Sequence, residues 1–166
     1  MAGTRNQGNR EDKEIRTLIL GIGNPILTDD AVGILVVQQL KGVNADIKEA
    51  YTGGFALLDV ILGYDTVIIV DAVKKGGKPG TVSVLREDEI RRALHASSIH
   101  DVSFSEAVSL GRTLFPEEMP SKIIIVGIEV TNTETFSEQP TEPVQRAIPE
   151  AVSMVMSLLG NLRSHP

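Results

Sequence analysis

The chain has 166 residues, 42% of them hydrophobic and 23% charged, which suits one soluble domain with a real core rather than a disordered chain. A formal net charge of -6 argues against a nucleic-acid partner, which is usually met by a basic face. The absence of cysteine excludes disulfides, iron–sulfur clusters, thiolate zinc sites and a thiol nucleophile, so any metal ligands must be carboxylates or the three histidines, His95, His100 and His165.

The opening stretch MAGTRNQGNREDKE (1–14) is polar, has no apolar signal core, and reads as a disordered tail ahead of one domain over 15–166. With no run long enough to span a bilayer, the expected location is the cytoplasm. RTLILGIGN reads as a buried strand over about 17–21 that ends in a Gly-Asn turn. DDAVGILVVQQL carries apolar residues at helical spacing, with Thr28 as the expected N-cap and two acids in the first turn. ADIKEAY alternates like a half-buried strand, and FALLDVILGY reads as a short helix closed by Gly63.

DTVIIVDAV is β-branched and continuous, as expected of a central parallel strand covered on both faces. KKGGKPG is a turn, and TVSVLRE is a further strand, antiparallel to its predecessor in the simplest reading. EDEIRRAL reads as a short amphipathic helix. SFSEAVSLGRTL reads as another, with Ser103 and Glu106 at capping-box spacing. SKIIIVGIEV is a second core strand. Residues 143–162 read as a long amphipathic helix that Pro149 kinks or starts. This alternation predicts a three-layer α/β/α sandwich around a mostly parallel sheet with one antiparallel strand.

Ligands of such sheets gather at the carboxyl ends of the strands. Asn24, Asp29 and Asp30 follow the first strand there, Asp71 directly follows VIIV, and His100 precedes a helix. Two carboxylates and an imidazole from three loops make a three-ligand set with open positions, suited to zinc, nickel or a similar cation. Each residue also has a plainer reading. Asp29 and Asp30 are equally acids at a helix start, Asp71 a turn or cap residue, His100 a solvated loop histidine, and Gly53-Gly54 a flexible loop. GIGNPI lacks the third glycine of a dinucleotide fingerprint, and Glu49 is the nearest acid to the ribose position, which leaves a nucleotide-binding enzyme a distant alternative. There is no Gly-Lys-Ser/Thr phosphate loop and no Gly-x-Ser-x-Gly elbow. GIGNP resembles the opening of peptidyl-tRNA hydrolases, but the chain continues ILTDDAVG where that family has a different pattern.

LILGIGNPILTDDAVG resembles the opening of the hydrogenase maturation endopeptidases, which process the large subunit of nickel–iron hydrogenases. The resemblance continues in order through TGGFALLDVI, VIIVDAV, GKPGTVSVL, HDVSFSEAV and IIIVGIEV. It implies an α/β/α sandwich that removes a C-terminal extension from the large-subunit precursor once nickel is inserted. The nickel is supplied by the substrate, so no permanently bound cofactor is expected. The metal-sensing residues it implies are Asp30, Asp71 and His100, with Asp30 and Asp71 also the candidates for catalysis. Asp29 is then left as the helix-start charge. A substrate-handling stretch, Asp-Gly-Gly-Thr-x-Gly in many members, here reads EAYTGG. It points to Glu49, Thr52 and Gly53, with Asn24, as substrate-binding residues, while Tyr51 replaces a glycine and narrows backbone freedom. The hydrolytic step is open between a metal that polarises the carbonyl and a carboxylate that activates water. The alternative from the same residues is a metal-checking chaperone that binds the large subunit without cutting it.

Overall fold

Residues 66–73 are β-branched or small at nearly every position, and all eight are buried. A strand with no solvent face must lie in the middle of a sheet covered on both sides. The computed structural model, which describes residues 15–51, 53–87, 89 and 101–164, puts it there. The strands are β1 (Thr17–Ile22), β2 (Asp46–Ala50), β3 (Thr66–Val73), β4 (Val82–Arg86) and β5 (Lys122–Glu129). Their order across the sheet is β2-β1-β3-β5-β4. β2, β1, β3 and β5 are parallel, and β4 runs antiparallel to β5.

Among the described residues, four helices cover the sheet: α1 (Val32–Gln38), α2 (Leu58–Ile61), α3 (Asp101–Leu114) and α4 (Glu142–Ser164). The period-two alternation of the strands decides which face each side chain serves. Leu18, Leu20, Val67, Ile69, Ile123 and Ile125 pack with Leu58 and Ile61 of α2 and with Phe104, Ala107 and Val108 of α3. Ile19, Ile68, Val70, Val126 and Ile128 pack with Val32 and Val36 of α1 and with α4. In α4 the buried side chains are Val144, Ala147, Ile148, Ala151, Val155 and Leu159, a stripe at helical spacing. Each fully buried Ile or Val contributes roughly 1.5–3 kcal/mol of transfer free energy. The three-layer sandwich is therefore as expected. Among the described residues, no helix is long and apolar enough to cross a membrane.

β4 runs antiparallel to its predecessor β3, as expected, and is joined to it through β5, which lies between them. Several local expectations need correction. β2 is an edge strand, paired on one side among the described residues, and four of its five residues are exposed. Pro149 neither starts nor ends α4. The helix is continuous from Glu142, and the proline sits within it on the exposed side. Ser103 lies inside α3, whose described part already begins at Asp101, so the Ser103–Glu106 spacing does not cap the helix start. The short helix before α2 is a 3-10 turn over Gly54–Leu57, and Gly63, at φ +81, ends the unit as expected. The expected tail over 1–14 and most of the helix expected over 87–94 lie outside the described residues.

Candidate active site at the sheet's carboxyl edge

The path from β1 to β2 runs through α1 on one face, and the path from β2 to β3 runs through α2 on the other. Strand order therefore reverses at β1, and such a topology puts the ligand-binding crevice beyond the carboxyl ends of β1 and β3. Asp30 and Asp71 belong to the two segments that border this crevice.

The loop after β1 is shaped residue by residue. A side chain on Gly23 would place its Cβ 2.0 Å from the Asp30 carbonyl oxygen, so only glycine permits this approach. The Asn24 side chain accepts from Ile26 N–H at 3.2 Å and its carbonyl from Leu27 N–H at 3.1 Å, which turns the chain back. Thr28 has φ +40, unusual for a β-branched residue. It is held there by N–H donation to Ser137 O at 2.9 Å and by its hydroxyl, which donates to Thr135 O at 2.5 Å. Thr28 thus opens a 3-10 turn, Thr28–Ala31, and does not cap α1, whose N-cap position is Ala31. A Cβ on Gly33 would sit 2.2 Å from Ile22 O and 2.3 Å from Val70 O, so the first turn of α1 rests directly on the ends of β1 and β3.

The two adjacent aspartates have different surroundings. Asp29 is completely buried. Its carboxylate accepts from Thr141 N–H at 2.6 Å, Thr141 hydroxyl at 3.1 Å and Asn132 N–H at 3.2 Å. It ties the first loop to the segment between β5 and α4. Asp29 lies in the first turn of the 3-10 segment, as expected of a helix-start acid, and its acceptors are spent on a distant segment. Asp30 is 7% exposed, and its Oδ2 accepts from Asn24 N–H at 2.9 Å. Asn24 thus contributes its backbone to Asp30 and uses its side chain to make the turn.

Asp71 is the sixth of eight residues in β3 and is also 7% exposed. By alternation it shares the α2/α3 face with Val67 and Ile69, and its Oδ1 accepts from Ala72 N–H at 2.8 Å. Glu129, at the end of β5, is a further buried carboxylate at this edge that the reading of the sequence passed over. Its Oε1 accepts from Lys75 N–H at 2.8 Å and Gly77 N–H at 3.0 Å, and this shapes the turn after β3. Like Asp71, Glu129 is an acid at the end of a buried parallel strand, and that is the signal in the sequence that marks it.

Glu49 stands on the exposed edge strand, on the α1 side. It accepts from Gln38 Nε2 at 3.0 Å and from the Tyr51 hydroxyl at 2.5 Å. The hydrogen bond to this carboxylate, and then its negative charge, raise the Tyr51 phenol above the ordinary 10.0. Gly53 is half-buried and precedes the 3-10 turn that opens at Gly54, where φ is +71. Gly23 N–H donates to Ala50 O at 3.1 Å, which holds the ends of β1 and β2 together. Thr52 and His100 lie outside the described residues. Among the described residues, no three histidine, aspartate or glutamate side chains come together as a metal site.

A family model described as HycI, hydrogenase maturation protease, matches residues 34–158. The chain is 33% identical to the hydrogenase 2 maturation protease of Escherichia coli K12 over 87% of its own length and 91% of that protein's. It is 29% identical to the hydrogenase expression/formation protein HupD of Thiocapsa roseopersicina over 91% of its length and 70% of that protein's. Its fold is similar to that of the hydrogenase maturating endopeptidase HybD from E. coli, with a TM-score of 0.78 and 30% identity over 89% and 93% of the two chains. It is also similar to the [NiFe] hydrogenase maturation protease HybD from Thermococcus kodakarensis, with a TM-score of 0.74 and 25% identity over 87% and 99%.

Proposed function

The chain belongs to the hydrogenase maturation protease family, and from that premise we propose that it removes the C-terminal extension of a nickel–iron hydrogenase large-subunit precursor after nickel insertion. It acts in the cytoplasm and recognises nickel carried by the substrate through Asp30, Asp71 and His100. Glu49, Thr52, Gly53 and the Asn24 turn contact the precursor.

The observation that supports this reading is the pair of nearly buried carboxylates on the two segments that flank the β1–β3 crevice. Acids in so little water favour a partner that brings positive charge. A precursor with nickel in place meets that demand, and one without it brings no cation to the two acids. The difference in affinity then acts as the checkpoint, because discrimination is a difference between two binding free energies. The family membership favours a cutting enzyme over a chaperone that only inspects the metal.

The test incubates the protein with nickel-free and nickel-loaded large-subunit precursor and follows the precursor mass. Cleavage of the loaded form alone is the expected result. Equal cleavage of both forms would overturn nickel gating, and binding without cleavage of either would restore the chaperone reading.

A further inference from the structure

The chain is poor in aromatic residues, with four phenylalanines and two tyrosines. Tyr64 and Phe104 are buried in the core. Tyr51, Phe55 and Phe136 are 59%, 54% and 78% exposed, and Ile26 is 49% exposed. Single exposed apolar side chains are ordinary. Here, however, four large ones occupy one end of the sheet. Ile26 follows β1, Tyr51 and Phe55 follow β2, and Phe136 follows β5. These strands are mutually parallel through β3, so all these segments leave from the carboxyl edge that carries Asp30 and Asp71.

Strand order puts β2 on one side of the β1–β3 pair and β5 on the other. The segments after β1 and β5 are also joined. Ser137 N–H donates to Ile26 O at 3.0 Å, and Leu27 and Ser137 form a parallel bridge. Ile26 and Phe136 therefore lie on backbones that run side by side. On the β2 side, Tyr51 follows Ala50, whose carbonyl accepts from Gly23 N–H at the end of β1. The remaining exposed aromatic among the described residues, Phe115, follows the end of α3. Its neighbourhood is fastened to the opposite edge of the sheet, where Gly63 N–H donates to Glu118 O ahead of β3.

We propose that Ile26, Tyr51, Phe55 and Phe136 form an apolar rim that grips the hydrogenase large-subunit precursor, and that this rim sets affinity for the precursor rather than the rate of cutting. The inference rests on the substrate proposed above. The occupant follows from continuity. Ile26 and Asp30 belong to one short loop, so a polypeptide that brings a group to Asp30 crosses the rim. Large, rigid apolar side chains around a polar centre are the usual anchors of protein recognition.

The test compares the wild type with an Ile26→Ala/Phe136→Ala double variant, with Tyr51→Phe/Phe55→Ala, and with Phe115→Ala as the control at the far edge. Calorimetry measures binding of the nickel-loaded precursor, and a mass assay measures its cleavage. The expected result is a Kd and KM raised at least about tenfold in the double variant, a smaller rise in Tyr51→Phe/Phe55→Ala, a kcat within about twofold, and no change for Phe115→Ala. Circular dichroism confirms that the variants are folded. An unchanged Kd in the folded double variant overturns the rim, as does equal weakening by Phe115→Ala or a fall in kcat at constant KM. A wild type that binds without cleaving defeats the proposed processing activity, while the Kd comparison still decides the rim. A wild type that does not bind the precursor defeats both.

Discussion

Asp29 and Thr141 are separated by 112 positions in the chain, yet two hydrogen bonds join them, from Thr141 N–H at 2.6 Å and from its hydroxyl at 3.1 Å. With the third bond, from Asn132 N–H, Asp29 holds the first loop against the segment that leads into α4. Asp29→Ala would leave these half-buried donors without their acceptor and remove a fully buried side chain, at a cost of about 3 kcal/mol. For a chain of this size that lowers the melting temperature by roughly 10 °C. Thermal denaturation checks it, and a fall of less than a degree or two would show that the tie is dispensable.

Asp30→Asn has the opposite profile. The amide oxygen can still accept from Asn24 N–H, so the melting temperature stays within roughly 2 °C of the wild type. Under the proposed function, processing of nickel-loaded precursor falls about 100-fold, the equivalent of ~2.7 kcal/mol in the barrier. Asp71→Asn is expected to do the same. Wild-type turnover in either variant, measured by precursor mass, would remove that residue from the site.

Two helical glycines give a contrast in stability. Alanine is favoured over glycine in a helix by about 1 kcal/mol. Gly160 in α4 has open space where a Cβ would go, so Gly160→Ala is expected to stabilise the fold by about 0.5–1 kcal/mol. A Cβ at Gly33 would strike the carbonyl oxygens of Ile22 and Val70, and backbone of two central strands cannot step aside. Gly33→Ala is expected to destabilise by about 2 kcal/mol or more despite its better helix propensity. Urea denaturation of both variants checks the opposite signs.

The phenol of Tyr51 is raised by its hydrogen bond to Glu49 and by that residue's charge. Its ionisation, read as the absorbance titration of wild type minus Tyr51→Phe, is expected above 10.0, and Glu49→Gln should bring the midpoint back toward that value. A proton held more tightly in the folded chain stabilises it below the unfolded value of about 10. That contribution is lost as pH rises through the raised folded value. A midpoint at or below 10.0 in the difference titration would contradict the Tyr51–Glu49 pairing.

The layered α/β architecture was legible in the residues themselves. The unbroken run of β3, the stripe of α4 and the strand–turn–helix at 17–38 are local periodicities, and a period of two or 3.6 states which face is buried wherever the element is placed. Asp30 and Asp71 could be assigned to one edge for the same reason, since parallel strands all end on the same side. What the residues alone could not decide is how neighbouring acids divide their roles. Asp29 and Asp30 look alike in a helix-start reading, and only the approach of Asn132 and Thr141 turns one into a buried tie and leaves the other beside the crevice. The pairing of β4 with β5, the continuity of α4 through Pro149 and the grip of Glu129 on Lys75 and Gly77 were settled in the same way. Faces and periods are local properties of a chain. Which distant donors reach a given carboxylate depends on how the loops converge, and that is decided only when the layers pack.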